Sequence, residues 1–102
     1  MYIVETTVQT ASATKYLQQL CKHFTHKVPA AWTQEAGSVT FPYGDCIMHA
    51  RDNALHIQCQ THDAENVALL KDVIGSHLRQ FAWRETLQLV WQETRASCPL
   101  ST

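Results

Sequence analysis

The spacing of apolar residues along this chain changes twice, and each change marks a new kind of element. Tyr2 to Val8 is rich in β-branched residues and reads as a first strand. Thr10 or Ser12 is placed to cap the helix that follows. Within that helix Leu17, Leu20, Cys21, Phe24 and Val28 recur at i, i+3, i+4, i+7 and i+11, a single apolar stripe. Pro29 then disfavours helical geometry at Val28 and ends the element.

From Gly37 the period becomes two. Val39, Phe41 and Tyr43 alternate with polar residues, as do Cys46, Met48 and Ala50, and then Leu55, Ile57 and Cys59. Two-residue turns at Gly44-Asp45 and Asp52-Asn53 set the register of a three-stranded meander. Its inner rows are then Val39/Ala50/Leu55, Phe41/Met48/Ile57 and Tyr43/Cys46/Cys59. Its outer face carries Thr40/His49/His56 and Pro42/Ile47/Gln58. Because Pro42 has no N–H to give a ladder, its strand is expected at an edge of the sheet, or bulged.

A second helix is expected from an Asp63 N-cap, with Glu65 in its first turn and Val67, Leu70, Ile74, His77, Leu78 and Phe81 on its apolar face. Leu87, Leu89 and Trp91 then alternate with Gln88 and Gln92, the pattern of a last strand. The order β-α-β-β-β-α-β predicts an α+β two-layer sandwich: a mostly antiparallel sheet with both helices on one face. Residues 1–93 form a single domain on this reading, and 94–102, which include Pro99, a loose tail.

Composition narrows the function classes. The 102 residues carry a net charge of -1, and only 17% are charged, against roughly 25% in an average soluble domain. A chain so balanced is no electrostatic nucleic-acid binder and has no polybasic membrane anchor. No run approaches the ~20 apolar residues of a membrane span. Four cysteines, Cys21, Cys46, Cys59 and Cys98, form no C-x-x-C pair. The N-terminal residues lack a signal-peptide pattern, so a cytoplasmic location and free thiols are the expectation. Phosphate-loop, dinucleotide, zinc-protease and nucleophile-elbow motifs are absent. The reading therefore leans away from an enzyme.

Some residues could still carry chemistry. His49 and His56 fall opposite each other on the outer face, where cross-strand Cβ atoms stand about 4.5–5.5 Å apart and two imidazoles could share a transition metal. A structural or catalytic zinc takes three or four protein ligands, so the pair needs more from Asp52, Gln58 or a partner chain. Lys22, His23, His26 and Lys27 crowd the end of the first helix, where cations complement the helix dipole without any ligand. The same cluster is a candidate contact for an anion or metal, with Trp83 and Arg84 as further ligand-binding candidates. Cys21 belongs to the core stripe, His77 reads as a hydrogen-bonded core histidine, and Trp83, Arg84 and Glu85 form a junction or a surface contact. No cofactor is required.

Three segments carry a resemblance. KYLQQLCKHFTHKVP (Lys15 to Pro29), FPYGDC (Phe41 to Cys46) and LKDVIGSHLRQFAWRE (Leu70 to Glu85) resemble a family of small bacterial proteins named domain of unknown function 2218, over roughly Val8 to Gln92. The resemblance implies a small two-layer α+β fold, no established activity and no catalytic residues to transfer. For some relatives it implies an association with siderophore or iron-uptake genes. The leading expectation is a cytoplasmic binding or accessory protein, with a small metal- or histidine-dependent enzyme as one alternative. The other is a homodimeric module joined through the uncovered sheet face.

Overall fold

The alternation that begins at Gly37 does build a meander, seen here in a computed structural model that describes residues 1–95. The elements are β1 (Tyr2–Gln9), α1 (Ala13–Phe24), β2 (Ala30–Trp32), β3 (Ala36–Phe41), β4 (Gly44–Arg51), β5 (Ala54–Thr61), α2 (Glu65–Phe81) and β6 (Gln92–Arg95). They form one antiparallel sheet in the order β2-β3-β4-β5-β1-β6, an α+β arrangement with both helices on one face. α1 lies over β2 to β5 and α2 over β5 and β1. Leu17 and Leu20 from α1, Leu70, Ile74 and Leu78 from α2, and Met48, Leu55 and Ile57 from the sheet are fully buried between the layers. Each such side chain contributes about 1.5–3 kcal/mol by leaving water.

The β4–β5 hairpin keeps the expected register, with Ala50 opposite Leu55, Met48 opposite Ile57 and His49 opposite His56. Its turn residues Asp52 and Asn53 sit at φ 55° and 56°, the left-handed pair that a two-residue hairpin turn requires. The β3–β4 turn differs. Pro42 and Tyr43 form it, closed by Phe41 opposite Gly44, so Val39 faces Cys46 rather than Ala50 and Thr40 faces Asp45 rather than His49. Proline presets the φ of a first turn position. Gly44 is needed where the returning strand begins, because a Cβ there would come within 2.6 Å of the Gln60 carbonyl oxygen and 2.9 Å of Leu70. Val39, Phe41, Cys46 and Met48 kept their side of the sheet, because the partners moved by an even number of residues, whereas Tyr43, expected opposite Cys46, left the ladder for the turn.

Further corrections concern edges and caps. Pro42 marks no edge strand, since β2 covers β3 on its far side. At three residues β2 is too short for any period to reveal it. The last ladder begins at Gln92 rather than Leu87, so Thr94 and Arg95 pair with β1 instead of opening a tail. Positions 96–102 of that expected tail lie outside the described residues. Leu87, Leu89 and Trp91 still turn toward the core, and Leu89 rests against α2 at Gly75. Neither helix has a side-chain cap. Before α1 the Thr10 hydroxyl accepts from the Ser12 N–H at 3.1 Å, and before α2 the Asp63 carbonyl accepts from the Asn66 N–H at 3.0 Å. Ala64 is already helical there (φ -58°, ψ -31°), so a backbone turn leads into α2.

The cysteines depart from four free thiols. Cys46 and Cys59, opposite each other on the inner face of β4 and β5, form a disulfide, while Cys21 is free and buried. Burial pushes the Cys21 thiol up to about 11, as the core reading requires and a nucleophile would not. Cys98 lies outside the described residues.

Candidate functional site

One face of α1 is left open to solvent beside the short edge strand. Lys15, Gln18 and Lys22 follow one another at i, i+3 and i+7 along that face, with Ser12 at its start and Gln19 on its flank. Across from them stands Trp32 of β2, opposite Gly37 on β3. With no side chain at Gly37, α1 approaches β3 closely, and the Trp32 ring covers the margin at 37% exposure. Together these residues line a groove of about 820 Å³, within the usual size range of small-molecule sites. Its lining carries two lysines and no carboxylate, in a chain whose net charge is -1. Among the described residues neither lysine side chain has a hydrogen bond or ion pair, and the buried side-chain oxygen of Gln19 has no partner.

The expected cationic cluster at the end of α1 is divided by helix geometry. Lys22 joins the groove, while His23, one residue and about 100° further round, turns to α2. There its ring lies 4.7 Å from that of His77 and 5.8 Å from Phe81. His77 donates its Nδ1–H to the Val73 carbonyl at 2.7 Å, the hydrogen-bonded role expected of it. Phe24 packs edge-on against both His77 and Phe41 at 5.0 Å. Burial, and after it the nearby charges of His77, His26 and Lys27, holds His23 below the ordinary histidine range. His26 and Lys27 are exposed in the turn after the helix. Trp83 is 72% exposed, and the Arg84 guanidinium stacks on its ring at 4.7 Å. Neither Trp83 nor Arg84 lines the groove.

His49 and His56 lie where the alternation put them, facing each other on the outer side of the sheet. The Thr7 hydroxyl stands 3.1 Å from His56 Nδ1 and orients that ring. No third ligand joins them: among the described residues no three His, Cys, Asp or Glu side chains are grouped to hold a metal ion.

Glu85 has a role that its sequence context left unassigned beyond a junction. Its carboxylate accepts from the Thr10 hydroxyl at 3.0 and 3.2 Å and from the Tyr16 phenol. These bonds tie the segment after α2 to the start of α1. Burial first, then the bond to Glu85 and its charge, raise the Tyr16 phenol above its ordinary range. This is a hydrogen-bonded structural latch. No sequence period marks it, because its partners lie 69 and 75 residues apart.

Comparison with known proteins agrees with this fold. The family described as "Uncharacterized protein conserved in bacteria (DUF2218)" matches residues 5–92. The NMR structure of PA4090 from Pseudomonas aeruginosa is similar at 30% identity, covering 90% of this chain and 96% of that one, with a TM-score of 0.76. No curated protein matches the chain. Among the described residues no helix is long and apolar enough to cross a membrane.

Proposed function

The chain belongs to this family of uncharacterised proteins conserved in bacteria, and within it we propose a small binding protein whose ligand seat is the groove between α1 and β2. The observation that carries the proposal is the pairing of unpartnered Lys15 and Lys22 with the half-exposed Trp32 ring, with no acid beside them. The lysines stand two helical turns apart, about 10.5 Å along the axis. They favour an anionic ligand, a carboxylate or phosphate on a planar organic body. Trp32 offers that body an apolar face. The amides of Gln18 and Gln19 supply neutral hydrogen bonds between the charges.

Phenyl phosphate is a suitable probe, followed by NMR shifts of the Trp32 indole. Its binding should weaken at least tenfold in a Lys15→Gln/Lys22→Gln double variant and should also fall in Trp32→Ala. Equal affinity for uncharged phenol, or full binding by the double variant, would refute this function. The iron-linked role implied by the family resemblance is a special case of the same ligand class. An anionic ferric chelate that displaces phenyl phosphate would support it.

A homodimer through the uncovered sheet face is a second reading, favoured by Ile47, which is 40% exposed between Ser38 and Gln58. Light scattering at high concentration decides it, since a strict monomer excludes it.

A further inference from the structure

We propose that His23 and His77 together form a seat for a divalent first-row transition ion, clamping the end of α1 to α2. The proposal is independent of the groove and of its ligand. Three observations carry it.

The first is distance. A metal–imidazole bond is about 2.0–2.1 Å, so each ring centre lies roughly 3 Å from the ion. Two neighbouring imidazoles on one ion then stand roughly 4.5–5.5 Å apart, centre to centre. The rings of His23 and His77 are 4.7 Å apart.

The second is the state of the nitrogens. His77 spends its Nδ1–H on the Val73 carbonyl, which leaves Nε2 with its lone pair. A backbone carbonyl holding the second nitrogen is the usual support of a metal-ligating histidine, because it sets both tautomer and ring orientation. The His23 ring makes no hydrogen bond among the described residues, although its backbone carbonyl does, so the ring is uncommitted.

The third is confinement. Phe24 lies 5.4 Å from His23 and 5.0 Å from His77, and Phe81 lies 5.8 Å from His23. The His77 ring, half-buried beside Phe24, loses little freedom on binding, and the exposed His23 ring rests against it from one side.

With two protein ligands and no third donor grouped with them, water completes the coordination shell. The site is therefore an exchangeable clamp and not a folding zinc. Imidazole selects nickel, copper and zinc, while magnesium and calcium prefer oxygen.

The test is metal titration of protein without a histidine tag. Saturating Ni²⁺ or Zn²⁺ should raise Tm by about 4 °C or more, and Mg²⁺ should leave it unchanged. His23→Gln, an exposed substitution, should bind Ni²⁺ at least tenfold more weakly by calorimetry. His49→Gln, on the far face of the sheet, should bind as the wild type does. Paramagnetic Ni²⁺ should broaden the His23 and His77 ring signals before those of His49 and His56. No stabilisation by either metal, stabilisation that survives His23→Gln, or loss with His49→Gln would each overturn the clamp.

Discussion

Gly37 lies in β3 beneath α1, and its neighbours explain why no larger residue fits. An added Cβ would stand 2.6 Å from the Cys21 sulfur and 3.2 Å from Leu17, both fully buried on the helix. Both side chains are packed on all sides, so room for a methyl group must come from shifts in the core between α1 and β3. Gly37→Ala should therefore lower the unfolding free energy by about 1–3 kcal/mol in a urea titration. Gly75 in α2 is the contrast. There a Cβ meets Leu89 at 3.4 Å and Arg79 at 3.5 Å, ordinary contacts, so alanine should cost nothing and gain up to about 1 kcal/mol in helix propensity. An unchanged urea midpoint for Gly37→Ala would mean that α1 moves freely over β3. At this scale the sequence was informative wherever one residue's chemistry decided its place. Cys21 lies on the core stripe and His77 is a bonded histidine, both as read. His23 was legible as one of the cationic residues at the end of the first helix, but its partner on another helix was not.

At the scale of elements, the contact between α1 and α2 includes one group whose pKa is shifted, His23. Its pKa is lowered by burial and then by His77, His26 and Lys27. The unfolded chain, with a histidine pKa near 6.5, binds this proton more readily than the folded one. Stability from this group is therefore complete above about pH 6.5 and is lost as pH falls through the lowered folded value. In the presence of a chelator, Tm should fall on going from pH 7.5 to 5.5, and His23→Gln should show a shallower fall. Parallel Tm profiles for the two proteins would remove His23 from the acid response. The hairpins show what local pattern does at this scale. Asp52-Asn53 was readable as a turn because those residues tolerate the left-handed backbone it needs. At the other hairpin, Gly44-Asp45 and Pro42-Tyr43 are both reasonable turns by composition. The approach of Leu70 and of the Gln60 carbonyl to Gly44 favours the second.

For the whole molecule, the first strand is the keystone. β1 pairs with β5 over eight positions and with β6 over four, so the N-terminal strand lies inside the sheet. Val4 and Val8 enter the core from it. Removing residues 2–9 should abolish the cooperative thermal transition seen by circular dichroism. Removing residues 92–102 should leave a five-stranded sheet that still melts cooperatively at lower temperature. A cooperative transition in the first deletion would show that β2 to β5 with the helices suffice.

The order of periods along the chain was enough to determine the two-layer α+β class, most of the inward set of the meander and the cross-strand couple of His49 and His56. Each depends on side-chain alternation, which is local and keeps its sense when a hairpin slips by an even number of residues. Only the folded chain decided that Lys22 and His23 part company, that Trp32 stands over a lysine-lined groove, that Glu85 latches Tyr16, and that His23 meets His77. Apart from the parting of Lys22 and His23, those relations join residues far apart in sequence, and they arise from how the helices lie on the sheet, a geometry with no period of its own in the chain.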